Sequence, residues 1–441
     1  MHTLLKTTCE TPLTKENILK STKKINPTLS NKCRRRLKYM HISSFDWKYG
    51  GILSPIKFID RDSVEYSLIA GSSGDINEKR MAKLTLDNAI ALIDPVWGGA
   101  YQYSTLSKWD MPHYKKTIAA QAGHLRIYSL AYAHMKSSSY LDIANSIQKY
   151  IYNFMTSNNN IFYASQSGKM PKINQNEYFS LKKSKQEEII SSKIDKQILV
   201  RENGWIIEAL ASHAEYCGNK KSLFMAIRAI DFINKNYRTN DGGYIRNQSS
   251  SGPQYLSDTL SMARALLQIY RNTLDKKYLK YSSESLNFIN KNFRSKFFGF
   301  YNKISTHGND SSICQIDENI SLTRFANLMK YYTNENKFDE ITKHGLRYLS
   351  IPEVATARIE EAGVLLVDLE TQTTPLTINI SGNIANPKTT EFLNIARRKE
   401  GWYKLIKLHE SKKDSVSIEI DGFKSKPVYC PDKFNELLLT H

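Results

Sequence analysis

Cysteine is scarce in this chain. Cys9, Cys33, Cys217, Cys314 and Cys430 are dispersed over 441 residues, and no two stand at CxxC spacing. An odd, scattered set excludes a disulfide framework and a cysteine-bound zinc site, and it fits a reducing, cytoplasmic setting. No histidine stands in a convincing relation to Cys217 or Cys314, so no metal is expected. Long apolar runs are missing too. None reaches the roughly 20 residues that a membrane span needs, so no span is expected. The first fifteen residues have no apolar core, so no secretory leader is expected. The phosphate-binding loop, the dinucleotide glycine fingerprint, H-E-x-x-H and G-x-S-x-G are all absent, and no cofactor is expected.

What the chain has in excess is positive charge: 62 Lys and Arg against 43 Asp and Glu, a net of +19. Residues 1–44 hold ten basic side chains against Glu10 and Glu16. The densest run is Arg34-Arg35-Arg36-Leu37-Lys38. Two readings of this segment compete: a solvated basic stretch, or a contact with nucleic acid or an anionic membrane. The run is short and poor in aromatic residues, which disfavours nucleic acid. At 41% hydrophobic and 24% charged, the chain as a whole can bury a sizeable core, and most of it lies beyond this segment.

An internal repeat organises that remainder. Leu141, Leu223 and Leu279 begin three copies. Small residues follow at +3 (Ala144, Ala226, Ser282). An aromatic–Ile pair follows at +9 and +10 (Tyr150-Ile151, Phe232-Ile233, Phe288-Ile289), and an aromatic at +21 (Phe162, Tyr244, Phe300). Apolar steps of three and four mark helix faces. Other helical stretches lie between the copies: Gly204–Tyr216, Tyr255–Thr273 and Leu322–Tyr332. Asn77–Ile93 and His113–Met135 read as helices upstream. Each repeat is therefore a helical hairpin with a turn-and-strand connector. Eleven or twelve helices to about residue 366 predict a mainly α protein, an (α/α)6 toroid of six hairpins over 45–369. An open solenoid is the competing architecture. Residues 169–194 interrupt the pattern as an inserted loop. Beyond residue 370, alternation in Leu376–Ile380, Tyr403–Leu408 and Val416–Ile420, with helices at Thr389–Arg398 and Lys433–Leu439, predicts a small α/β region over 370–441. Residues 1–44 are read as a separate basic segment.

In a helical toroid the connectors at one rim line the central cavity, and these connectors are rich in Gly pairs, aromatics and acids. Phe45-Asp46-Trp47-Lys48-Tyr49-Gly50-Gly51 precedes Pro55-Ile56-Lys57-Phe58. Asp94-Pro95-Val96-Trp97-Gly98-Gly99 runs on to Tyr103, Trp109, His113 and Lys115. Arg201-Glu202-Asn203-Gly204-Trp205 opens a helix, and Asp241-Gly242-Gly243-Tyr244 follows. Rings beside carboxylates suit a sugar, whose C–H faces stack while its hydroxyls bond to acids and amides. Such acids, or a histidine, can also move protons. The bland alternative is that these are tight turns pinned to the core, with His113 a cap or a packed imidazole. Asp258 is read either as a helix-surface acid or as an acid facing the cavity.

These motifs resemble the bacterial YyaL-type and spermatogenesis-associated thioredoxin-domain family. Asp46–Gly51 with Pro55–Phe58 is similar to its D-x-x-x-G-G-F-G-x-A-P-K-F-P. Gly98–Ser104 with Trp109, Pro112, His113 and Tyr114 is similar to G-G-F-x-R-Y-S followed by W-x-x-P-H-F-E-K-M-L-Y-D-N-A. Ile198-Leu199 with Asn203-Gly204 resembles K-I-L-T-S-W-N-G, and Tyr255–Asp258 resembles F-L-x-D-Y-A. Lys426–Cys430 loosely resembles the family's final strand. The resemblance implies a six-hairpin, glycosidase-like toroid, a carbohydrate-like cavity, and a thioredoxin-like domain that this sequence does not contain, so a thioredoxin-like partner is expected. Lys115 stands where the family has Glu, Ala120 where it has Asp, Glu202 where it has Trp, and Asp317-Glu318-Asn319 where it has Ser-Gly-Asn.

Two functions follow. One is a carbohydrate-active enzyme, an isomerase, epimerase or hydrolase acting on a polar, sugar-like ligand. His113 would shuttle protons, with Asp94, Glu202, Asp258 and Asp317 as carboxylates. Trp109, Tyr103, Trp205, Asn203 and Lys115 would hold substrate. The other is a toroid that has lost its catalytic acids and binds a ligand or a partner protein.

Overall fold

The computed structural model describes residues 25–168, 185, 193–248, 253–304, 312–358, 361–399 and 403–440. The basic residues before 25 and most of the expected insertion at 169–194 lie outside the described residues.

Six helices form an inner ring: α2 (Arg61–Ser72), α4 (Ile118–Met135), α6 (Val200–Cys217), α8 (Leu256–Thr273), α10 (Ile316–Thr333) and α12 (Gly363–Gln372). Six pack outside them: α1 (Asn31–Ser43), α3 (Ile76–Ala89), α5 (Ser138–Tyr150), α7 (Lys220–Tyr237), α9 (Lys276–Asn292) and α11 (Asn336–Leu349). Each inner helix contacts the next, and α12 returns to α2, so the ring is closed and the toroid reading holds over the solenoid. The inner helices are buried almost all round; α8 buries fourteen of its eighteen residues. The outer helices bury one stripe, as the period of three and four demands.

The hairpins share one link. Each of α4, α6, α8 and α10 ends on a single left-handed residue: Lys136, Gly218, Leu274 and Asn334, with φ of +53°, +70°, +59° and +57°. The following residue (Ser137, Asn219, Asp275, Glu335) is extended and starts the outer helix. Left-handed backbone stops a helix and reverses the chain, and Asn and Asp at the next position bond the first free N–H groups.

The sixth hairpin joins the two ends of the toroid. Its inner helix is α12 and its outer helix is α1. Cys33 and Leu37 of α1 bury against Leu365 and Leu366 of α12, and Arg34 pairs with Asp368 at 2.5 Å. Helix α1 is thus part of the ring. Its position corrects the expectation of a separate basic segment reaching to residue 44: apolar residues between the arginines seat it.

At the carboxyl ends of the inner helices lies a four-stranded sheet, β7-β6-β8-β9. Strand β6 (Leu376–Ser381) runs parallel to β7 (Lys404–His409) and antiparallel to β8 (Ser415–Ile420), which pairs with β9 (Phe423–Lys424). Helix α13 (Pro387–Arg398) makes the parallel crossover, and α14 (Pro431–Leu439) packs on it. Ile378, Leu405 and Ile418 share one core with the toroid. Asn327 of α10 donates to the Tyr403 hydroxyl at 2.6 Å. The sheet therefore sits at one end of the toroid, and the amino ends of the inner helices form the other. Three short ladders, β1 (Tyr103–Ser104) with β2 (Pro112–His113), and β3 (Lys116–Thr117), β4 (Ser165–Gln166) and β5 (Ile194–Asp195), lie among the connectors at that amino end.

Candidate functional site at the amino ends of the inner helices

Two of the Gly-Gly connectors are built alike. In each, the first Asp carboxylate accepts two backbone N–H groups of the turn: Lys48 and Tyr49 for Asp46, Val96 and Trp97 for Asp94. A buried lysine then crosses the turn. Lys57 donates to Asp46 at 2.7 Å and to the Gly50 carbonyl; Lys116 donates to Asp94 and to the Gly98 carbonyl, both at 2.8 Å. The glycines hold φ of +71° to +76°, and a Cβ on Gly99 would fall 2.4 Å from the Tyr150 ring. Only glycine permits that approach. Asp94 is thus fully engaged as a turn staple, with Lys116 entirely buried, which corrects its expected place among the catalytic acids. Burial pulls the Lys116 amine down to about 8, against the raising pull of Asp94.

A second device recurs one step further along. The fourth residue of an inner helix reads the backbone of the connector strand. Gln121 bonds both the N–H and the carbonyl of Ala100. Asn203 does the same to Phe162, and Asn319 to Phe300; Thr259 accepts from Tyr244 N–H. These clamps hold each connector against the helix that follows. Asn203 is buried with its amide spent in this way, a correction to its expected role on substrate. Trp109 is likewise structural: it is buried, donates its indole N–H to the Tyr49 carbonyl at 2.7 Å, and packs on Gly51.

His113 is exposed on β2, its ring stacked on Tyr103 at 4.9 Å and 4°. Partial burial and the charge of Lys115 lower its pKa. Among the described residues, no hydrogen bond or ion pair links His113 to any of the four expected acids.

The residue just before each clamp is the informative position. It is Glu202 on α6, Asp258 on α8 and Glu318 on α10; on α4 it is Ala120. Matched positions on a ring of helices lie at one level and face the same axis. Asp258 has a side chain only 1% exposed. Its Oδ2 accepts from Arg246 Nε at 3.2 Å, and its Oδ1 is buried without a partner. Burial raises its pKa to about 6, opposed by Arg246 and Arg201. Glu318 is similar: Oε2 is buried and unpartnered, Ser257 bonds the carboxyl, and burial raises the pKa to about 7 against the pull of Arg201. Glu202 pairs with its neighbour Arg201. Asp317 points the other way. It is 61% exposed and bonds Arg358 through both oxygens, so Glu318, one residue on, is the carboxylate that belongs to this cluster.

Aromatic rings border these acids. Arg201 and Arg61 lie 4.9 and 5.7 Å from the half-buried Trp205 ring, and the Arg246 guanidinium lies 3.6 Å from the Tyr255 ring. Beneath them the lumen is filled by charge. Arg126 holds Glu65 by two bonds of 2.7 Å, Arg264 holds Glu208 at 2.7 Å, and Arg324 bridges Glu65 (2.9 Å) and Glu370 (2.7 Å). Glu208 and Arg264 follow Glu202 and Asp258 by six residues, and Arg324 follows Glu318 by six. At 1.5 Å per residue the belt lies about 9 Å below the acids. The arginines hold Glu65 well below the usual carboxylate range, against the opposing effect of burial. The amino-end cluster of acids, arginines and rings, the mouth of the toroid, thus stands on a polar floor of ion pairs. Sequence reasoning missed Glu318; the signal was an acid immediately before a polar clamp residue, shared by Glu202-Asn203, Asp258-Thr259 and Glu318-Asn319.

No known family profile matches the chain. In sequence it is 25% identical, over 151 residues, to human Spermatogenesis-associated protein 20. That match covers 33% of this chain and 19% of the human protein's length. In structure it is similar to cellobiose 2-epimerase from Bacillus thermoamylovorans, with a TM-score of 0.56 and 13% identity over 72% of this chain and 86% of the other. A sugar epimerase from a ruminal bacterium gives 0.56 and 15% over 73% and 86%. Cellobiose 2-epimerase from Spirochaeta thermophila gives 0.57 and 9% over 78% and 98%. At such identities the likeness is one of fold: the (α/α)6 toroid is shared with sugar epimerases. Among the described residues, no helix is long and apolar enough to cross a membrane.

Proposed function

We propose that this chain is a carbohydrate-active enzyme, an isomerase, epimerase or hydrolase, in which Asp258 and Glu318 transfer protons. The observation that carries the reading is that two carboxyls, each with one buried, unpartnered oxygen, share the influence of Arg201 at the amino end of the toroid. With pKa values raised to about 6 and about 7, both carboxyls change protonation close to neutrality, where a proton-transfer group works. In an isomerase or epimerase, ionised Asp258 would take a proton from carbon while Glu318 protonates the adjacent carbonyl oxygen. In a hydrolase, Glu318 would protonate the leaving oxygen and Asp258 would activate water. Trp205 and Tyr255 supply rings beside the reacting centre. The proton role first expected of His113 passes to Glu318, while His113, Tyr103 and Lys115 border the connector.

The experiment is turnover of a panel of reducing sugars and disaccharides in D2O, followed by NMR for solvent deuterium and for new sugars. Asp258→Asn and Glu318→Gln should each lower kcat at least about 100-fold, a typical loss for a positioned acid or base. His113→Ala should change it by less than about threefold. Wild-type protein that binds sugars without turnover or exchange would sink the enzyme reading and leave a ligand-binding module. One observation favours that second reading: Lys115 stands where the resembled family carries an acid. A thioredoxin-like domain is its candidate partner.

A further inference from the structure

Arg61 is an exposed cation that has no carboxylate partner among the described residues. It opens α2, where the helix dipole disfavours positive charge. The flanking acids have other partners, although Asp60 also feels the Arg61 charge. Asp60 caps α2 by accepting from Ser63 N–H at 2.8 Å, and Asp62 lies 3.7 Å from Arg324. Among the described residues, no carboxylate comes within 4.0 Å of Arg61. The exposed side chain rests against α4: its Cδ lies over Gly123, in the second turn, 3.0 Å from where a Cβ would stand. A glycine inside a helix weakens the helix, and here it makes room for the arginine. The guanidinium then lies 5.7 Å from the Trp205 ring. Beside Gly123, the buried His124 bonds the Ala120 carbonyl through Nδ1 and leaves Nε2 without a partner. The other cations of the mouth are occupied, Arg201 by Glu202 and Arg246 by Asp258.

We propose that the mouth takes an anionic sugar, one bearing a carboxylate or a phosphate, and that Arg61 binds the anionic group. The inference rests on the reading of this mouth as a sugar site. A planar guanidinium with its fork free matches either oxyanion by two parallel hydrogen bonds. The Trp205 ring lies 5.7 Å from that anchor and 4.9 Å from Arg201, so the anchor borders the same ring as the acid cluster.

The test is calorimetric binding of glucuronate, glucose 6-phosphate and glucose, and of cellobiose against cellobiouronate, to the full chain. Each anionic sugar able to use the site should bind at least about tenfold more tightly than its neutral counterpart, with the margin shrinking as salt rises. The tighter of the two anion types identifies the group. Arg61→Gln should erase the margin and leave neutral-sugar affinity within twofold. Arg61→Lys, which keeps charge and loses the fork, should retain only part of it. Gly123→Ala, whose Cβ presses on the Arg61 Cδ without touching its charge, should narrow the margin without erasing it; thermal unfolding identifies any variant that fails to fold. Equal affinity for charged and neutral sugars, or a margin that survives Arg61→Gln, overturns the proposal. If neutral sugars are turned over in an Asp258-dependent way with no charged preference, the anion anchor falls and the enzyme reading stands. If anionic sugars bind through Arg61 but never turn over, the anchor stands and the enzyme reading falls.

Discussion

Asp258 and Glu318 hold their protons unusually tightly for carboxylic acids, and this has consequences for both stability and rate. Their pKa values are raised on folding, so the folded state binds protons that the unfolded chain releases near pH 4. Stability should therefore fall as pH rises from about 4.5 to about 7, then level off. Glu318→Gln removes an ionisation, so the variant should be more stable than wild type at pH 8, by roughly 3 kcal/mol, and gain nothing at pH 4.5. Urea unfolding at the two pH values measures this; a pH-independent difference would mean the carboxyl is not the cause. Activity should peak between the two pKa values, near pH 6 to 7, and lose one limb in each single variant. Asp258 was readable in the sequence as an acid on a helix, either at its surface or facing the cavity. Glu318 was not, because Asp317 stands beside it and adjacent helical residues point about 100° apart. Which of the two faces inward depends on Asn319, whose clamp on Phe300 fixes the helix rotation.

At the scale of elements, the connectors explain why several expected site residues are structural. An Asp-x-x-x-Gly-Gly turn concentrates polar groups at the rim, as a binding loop would, yet its carboxylate is consumed by its own backbone and a buried lysine. The lysine stands far along the chain from the turn, 22 residues in the case of Lys116, so the pairing cannot be read from local spacing. The repeat itself was legible, because apolar steps along α5, α7 and α9 survive in any order of loops. Lys116→Met leaves Asp94 buried without its partner and should cost about 3–5 kcal/mol in urea unfolding. Gly99→Ala, which meets the Tyr150 ring, should be destabilising by a similar mechanism of misfit. A loss of turnover in Lys116→Met protein at a temperature where it remains folded would return Asp94 to the catalytic list.

The whole molecule is held round by its seam and by its belt of ions. Arg324 ties Glu65 on the first inner helix to Glu370 on the last, across the join. Arg324→Met should leave two buried carboxylates short of a counter-charge and cost about 3–5 kcal/mol. Because the belt spans the ring, the loss should appear as an earlier cooperative transition in circular dichroism, not as a separate early phase. The toroid was legible from hairpin count, but the identity of the sixth hairpin was not. The charge of Arg34-Arg35-Arg36 drew attention away from Cys33 and Leu37, the two residues that bury in the seam.

That seam sets an order of events during synthesis. The first described helix to leave the ribosome has its partner more than 300 residues downstream, while every other outer helix meets its inner mate across a link of a few residues. Five hairpins can stack as they emerge, since their contacts are local and close quickly. Helix α1 can meet α2 and α3 early through His41, but Cys33 and Leu37 lack their cover from Leu365 and Leu366 until α12 has been translated. A nascent chain arrested before Gly363 should therefore expose these two side chains and the open flank of α2, and Cys33 should react with a thiol reagent that the finished ring excludes.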